Sequence, residues 1–146
     1  MLLWRISNYA DLNGLGGLRF SARWHSRGRP IVYAAEHPSA ALTEMLVHVA
    51  RVDLPETFQM LTIELDDAAS VETIVTASLP ADWASNLAAT RAVGDKWLAE
   101  ARSLALRVPS VILPDVWNVL LNPAHPEAAG MRVIRSDRPR VDPRFF

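Results

Sequence analysis

The sequence contains no cysteine, which removes a disulfide framework, every thiolate metal site and any cysteine nucleophile. Nor does it carry a strong excess of charge: 15 basic side chains face 16 acidic ones, for a formal net charge of −1. That balance argues against a broad electrostatic footprint for nucleic acid, although a local basic patch is compatible with it. No apolar run approaches the roughly 20 residues that span a bilayer. The opening "MLLWRISNYADL" has an arginine at position 5 and no apolar core of signal-peptide length. Several catalytic signatures are missing as well. There is no P-loop, no H-E-x-x-H and no G-x-S-x-G, and "GLGGLRF" runs into loop-like sequence instead of opening a helix as a dinucleotide fingerprint does. The histidines, His25, His37, His48 and His125, show no metal-ligand spacing, so no metal is expected. What remains is ordinary globular composition, 50% hydrophobic and 21% charged over 146 residues. The expectation is a single cytoplasmic domain, 1–146, without internal repeats and long enough to bury a core.

Hydrophobic patterning sketches the elements. "LLWRI" reads as a first strand. Residues 13 to 30, with Gly14, Gly16, Gly17, Gly28 and Pro30, read as a long loop. "PIVYAA" is a buried strand with Ile31 and Tyr33 on one face and Val32 and Ala34 on the other. "HPSAALTEMLVHVAR" is the clearest helix. Pro38 suits its first turn, and Ala41, Leu42, Met45, Leu46 and Val49 form its apolar stripe. "FQMLTIEL" alternates as a strand, placing Leu61, Ile63 and Leu65 together. Residues 81–106 read as mostly helical and broken near Gly94, "VPSVILP" as a buried strand, "WNVLLNPAHP" as a loop or short helical turn, and "MRVIRSD" as a closing strand. Irregular interleaving of short strands with helices predicts an α+β domain with a bent mixed sheet.

Four features carry potential chemistry, each with an ordinary alternative. The loop "FSARWHSRGRP" holds Arg23, Arg27 and Arg29, with Arg19 just before it. Arginine forks and a glycine-rich backbone suit an anion, but such arginines are also ordinary on a solvated surface. Arg23 stands out, because it adjoins Trp24 and precedes a buried strand. Tyr33 is a core residue with a satisfied hydroxyl, or a ring that packs against a planar ligand. Glu44 and His48 share a helical face beside the apolar stripe, where a carboxylate needs a partner or a task; a helix-boundary ion pair is the plain alternative. Ser110 lies in an apolar strand, with Asn118 and Asn122 after it. Unaided, these residues lead to an anion-handling pocket with a carboxylate and no further.

In order along the chain, "SARWHSRGRPIVYAAEHPSAALTEMLVH" and "VPSVILPDVWNVLLNPAHP" resemble the RES domain, the toxin component of bacterial RES–Xre toxin–antitoxin systems. The matching pattern is a glycine-containing loop ending near G-G-R-W-N, a G-x-P-V-V-Y strand, an A-L-x-E-x-L-V-H helix, and a late P-S strand before N-x-L-x-N-P. The resemblance runs from the first strand to "NPAHP", with variable sequence around residues 66 to 105. It carries the family's arginine to Arg23, its tyrosine to Tyr33, its glutamate to Glu44 and its serine to Ser110. His48 falls on the histidine that ends the helix motif, and Asn118 and Asn122 on the asparagine-bearing segment. Two departures stand out: Ser21-Ala22 replaces the double glycine, and His25 replaces the asparagine after the tryptophan.

The resemblance implies a fold similar to ADP-ribosyltransferase toxins. It also implies an enzyme that consumes NAD as substrate, needs no cofactor, and cleaves the nicotinamide–ribose bond by hydrolysis or phosphorolysis. Arg23, Glu44 and Ser110 would be catalytic, with Arg23, Tyr33, His48, Ser110, Asn118 and Asn122 binding substrate. A carboxylate beside the ribose carbon suits an oxocarbenium-like transition state. The implied partner is an Xre-type helix-turn-helix antitoxin. That leaves operator binding to the antitoxin and direct DNA or membrane binding to neither face of this chain, with a homodimer conceivable within the complex. Two alternatives stay open: ADP-ribosylation of a macromolecule by the same residues, and a non-catalytic module whose arginines bind RNA or an acidic partner.

Overall fold

The computed structural model describes residues 1–48 and 57–145. The chain runs β1 (Leu2–Ser7), α1 (Gly16–Arg19), β2 (Val32–Ala35), α2 (Pro38–His48), β3 (Gln59–Glu64), β4 (Val71–Thr73), α3 (Leu87–Glu100), β5 (Ala105–Pro109), β6 (Trp117–Leu121) and β7 (Arg132–Asp137), with short 3-10 turns between. All seven strands join one sheet in the order β4-β5-β6-β2-β1-β3-β7. The β4–β5 pair is parallel and the others are antiparallel. The expected α+β class with a bent mixed sheet is therefore the observed one. A register shift between Thr62 and Ile63 bends the β3–β7 edge.

Alternation sorts the core into two faces. On one side Leu3, Val32, Ala34, Leu61, Ile63, Leu65, Val119 and Leu121 pack together, under the segments carrying Leu12, Ala128 and Met131. On the other, Leu106, Val108 and Leu120 meet Trp97 and Leu98 of α3, together with Trp24 and Ile31. Ala35 on that same face receives Ala40 and Ala41 of α2, flanked by Trp4, Ile6 and Met60. Both long helices thus cover one face. β1 and β2 share a single register pair, Trp4 with Ala35. Just beyond it, where the strands diverge, Arg5 Nη1 donates to the Tyr33 carbonyl at 2.7 Å. Burial draws that guanidinium below its ordinary pKa.

Three expectations need correction. Residues 117–121 form strand β6 at the sheet's centre, not a loop. Val119, Leu120 and Leu121 are all fully buried, and a strand covered on both faces reads as a continuous apolar run, not as alternation. The strand expected from "VPSVILP" begins earlier, at Ala105, and ends at Pro109. Helix α3 is unbroken at Gly94 and spans Leu87–Glu100, capped by the Asn86 side chain, which accepts from Ala89 N at 3.0 Å. It stops where Ala101 turns left-handed at φ 48°. Gly94 is a packing glycine: a Cβ there would overlap the Trp24 carbonyl oxygen. β4 and the single-turn α1 were not anticipated. Val49, placed on the α2 stripe from sequence, lies outside the described residues.

Candidate active site

Glu44 stands on the face of α2 that looks down on the sheet. Its Oε1 accepts from Ser110 Oγ at 2.9 Å and from Asn118 Nδ2 at 2.6 Å. Backbone pairing explains why these two donors converge. Asn118 faces Val108 across the β5–β6 ladder, and Ser110 N donates to Val116 O as the ladder ends, so both side chains rise on the face under α2. Ser110 Oγ in turn accepts from Ile112 N at 3.1 Å, so its hydroxyl proton is committed to the carboxylate. One oxygen of Glu44 is therefore held by two donors, while Oε2 has no partner among the described residues. The carboxylate lines a cavity of about 260 Å³ with His37, Ser39, Thr43, Ser110 and Val116. Asn118 Oδ1 is buried and has no partner among the described residues, a spare acceptor of the kind that a water satisfies.

Tyr33 is a diagonal neighbour of Asn118, since Ala35 pairs with Asn118 and Tyr33 with Leu120; such neighbours sit roughly 7 Å apart. Its hydroxyl accepts from Trp24 N at 3.2 Å and meets His25 Nδ1 at 2.8 Å. Burial pushes the phenol far above its ordinary pKa and pulls the His25 imidazole below its own. A neutral His25 is the one that fits: Tyr33 donates to Nδ1, and Nε2–H is buried with no partner among the described residues. Trp24 anchors this loop at 2% exposure, its ring 6.1 Å from Trp83. The sheet end of the site therefore carries a carboxylate, and the loop end a buried phenol beside arginine.

The loop end is gripped by α3. Thr90 Oγ1 donates to Arg23 O at 2.5 Å, Arg91 Nε to Ala22 O at 2.8 Å, and Ser26 N donates to Asp95 Oδ1 at 2.8 Å. Arg23 itself donates from Nη1 to Ala84 O at 2.8 Å. The backbone around Arg23 is thus held by a helix about 70 positions away in sequence.

Of the residues expected from sequence, Glu44, Ser110 and Asn118 form one hydrogen-bonded cluster. Tyr33 lies beside it on the same sheet face, and Arg23 immediately precedes Trp24, whose N–H bonds the Tyr33 hydroxyl. Neither Arg23 nor Tyr33 lines the cavity over Glu44. His48 is exposed on the last turn of α2, and the groups orienting Glu44 come from the sheet instead. Asn122 is 1% exposed and committed elsewhere: Nδ2 donates to Leu98 O at 3.4 Å and Oδ1 accepts from Ala124 N at 3.0 Å, fastening β6 to α3. Arg19, Arg27 and Arg29 are exposed. Sequence reasoning passed over Thr90, Arg91 and Asp95. Their one signal was Gly94 inside a helix, which marks close packing of backbone against that face. No cluster of three metal-ligating side chains occurs among the described residues, and none of the described helices is long and apolar enough to cross a membrane.

Comparison with known proteins gives a consistent picture. The RES domain matches residues 2–142. "Toxin Res" of Pseudomonas putida is 46% identical, with 91% of this chain and 92% of that protein covered. "Prs ADP-ribosylating toxin" of Sphingobium sp. is 36% identical over 98% of this chain and 95% of its own length. Among solved structures, the Mycobacterium tuberculosis MbcT–MbcA toxin–antitoxin complex contains a chain that superposes with a TM-score of 0.76. The alignment covers 99% of this chain and 85% of that one at 18% identity, so it is the fold that is shared.

Proposed function

The chain belongs to the RES domain family of toxins, and from that membership we propose that it cleaves the nicotinamide–ribose bond of NAD, passing ADP-ribose to water or phosphate. The observation that carries this reading is Glu44: a carboxylate that lines an open cavity and is fixed by Ser110 and Asn118 through one oxygen, with no partner for the other among the described residues. Fixed negative charge of this kind stabilises positive charge developing at a ribose carbon and needs no reorganisation as the charge appears.

In this mechanism the C–N bond breaks with its electron pair moving to the pyridine nitrogen, so nicotinamide departs neutral and requires no proton donor. The oxocarbenium ion left behind faces Glu44. An incoming water adds through oxygen and loses its proton to Glu44 Oε2 or to solvent; an incoming phosphate adds as an anion. Glu44 Oε2 is the acceptor available to the ribose hydroxyls, and Asn118 acts by holding Glu44. Ser110 acts by holding Glu44, its hydroxyl being engaged there. Tyr33 packs against the nicotinamide-ribose end, and Arg23 grips the pyrophosphate with charge-assisted bonds. A cognate antitoxin, expected from the family resemblance to be of the Xre type, would neutralise the enzyme by closing this cavity.

A second reading, transfer of ADP-ribose to a protein, is favoured by one observation: the 36% identical relative named as an ADP-ribosylating toxin. Mass spectrometry after mixing the protein with NAD, with and without phosphate and with a cell lysate, separates the outcomes. Free nicotinamide with ADP-ribose or its phosphate ester supports cleavage in solution. An added ADP-ribose mass on a lysate protein supports transfer. Intact NAD in every arm refutes both.

A further inference from the structure

We propose that Arg91 is a second ligand for the phosphoryl groups of the substrate, forming with Arg23 a two-guanidinium clamp beside the Tyr33 hydroxyl. The inference rests on the NAD reading above and extends it to a residue in the stretch where the family pattern is variable.

The two arginines are held alike. Each spends one N–H on a backbone carbonyl: Arg23 Nη1 on Ala84 O, and Arg91 Nε on Ala22 O, one residue before Arg23. Each keeps the rest of its fork without a partner among the described residues, and no carboxylate there lies within ion-pair distance of either. Asp95, one turn along α3 from Arg91, has Oδ1 engaged by Ser26 N. Trp24 N donates to the Tyr33 hydroxyl, Thr90 Oγ1 to Arg23 O and Arg91 Nε to Ala22 O, so both arginines spring from the same junction of loop and α3 beside that hydroxyl, which Asp95 shares through Ser26 N. Two half-buried cations and one committed carboxylate leave a local positive excess in a chain whose formal charge is −1. Arginines pinned by one N–H each need little further ordering to bind, and two planar forks match the oxygens of a phosphate or pyrophosphate.

Glutamine at position 91 separates the charge from the positioning. Its amide nitrogen occupies the place of arginine Nε and can still donate to Ala22 O, while the terminal fork and its charge are gone. Arg91→Gln should unfold at the same temperature as the parent. Calorimetric titration with ADP-ribose, and with inorganic phosphate, then reads the site directly. Loss of a charge-assisted contact predicts weakening of about tenfold or more. A loss confined to ADP-ribose identifies the pyrophosphate as the group held, and a loss confined to inorganic phosphate identifies the acceptor; either supports the clamp. KM for NAD should rise by a similar factor while kcat changes less than about threefold. Parent-like affinity for both probes in Arg91→Gln, or a parent that binds neither, overturns the proposal. A parent that binds ADP-ribose but leaves NAD intact overturns the NAD-cleavage reading instead, and the titrations still decide on Arg91.

Discussion

Replacing Gly94 by alanine tests how the arginine loop is held. Helix propensity alone favours the change, since alanine in a helix interior is better than glycine by about 1 kcal/mol. The structure predicts the opposite sign. A Cβ at position 94 would overlap the Trp24 carbonyl oxygen, and a backbone carbonyl cannot rotate aside as a flexible side chain can. Either α3 or residues 22–26 must retreat. Retreat breaks the bonds from Thr90 to Arg23 O, from Arg91 to Ala22 O and from Ser26 N to Asp95. At about 1 kcal/mol net for each bond, less the helix gain, the variant should lose about 2 kcal/mol. For a chain of this size that lowers the unfolding midpoint by about 4–8 °C. Thermal and urea unfolding read the stability, and KM for NAD reads the displacement of Arg23, which should weaken binding more than turnover. A Gly94→Ala protein more stable than the parent would refute the close approach of loop and helix.

Other perturbations address the remaining parts of the site. Asn118→Ala and Ser110→Ala each remove one charge-assisted donor from Glu44 Oε1. Each should lower kcat by about tenfold to a hundredfold, with NAD affinity changed far less; equal losses in affinity would mean that the residues contact substrate instead of fixing the carboxylate. His25 is held neutral by burial, so the unfolded chain takes up a proton first as pH falls below about 6.5. Stability should therefore decline from about pH 6.5 downward and level off once the folded imidazole is protonated too. His25→Phe should flatten that slope between pH 7 and 5 in a series of unfolding midpoints, and an unchanged slope would assign the decline to other groups.

Sequence patterning made the periphery of this fold legible and its centre less so. β3 and α2 each bury one side more deeply than the other, so their periods of 2 and 3.6 survive in the sequence. β6 is covered on both faces and loses its alternation, which is why a central strand carrying Asn118 read as a loop. The same distinction governs the site. Glu44, Ser110, Arg23 and Tyr33 stand out because each is a chemical exception within its own segment. Asn118 was singled out in sequence but assigned to a loop, and it lies in β6. Asn122 looked equivalent to it, but four residues further along the strand it faces the end of α3 and serves packing. Arg91, Thr90 and Asp95 act on the backbone of a loop about 70 residues earlier, and a pairing set by helix docking leaves no local period to read. Gly94, taken from sequence as a break, was the mark of that docking.

The rate of nicotinamide release at saturating NAD tests the role of the Glu44 carboxylate most directly, measured for the parent and for Glu44→Gln with NAD binding confirmed by calorimetry in both. Glutamine keeps the size and can still accept from Ser110 and Asn118 through its oxygen, but it lacks the charge. The prediction is bound NAD with nicotinamide release slowed by at least about a hundredfold, the scale seen when a fixed electrostatic stabiliser is removed from an active site. Release at the parental rate from a folded, NAD-binding Glu44→Gln protein would contradict the assignment of this carboxylate to the chemical step.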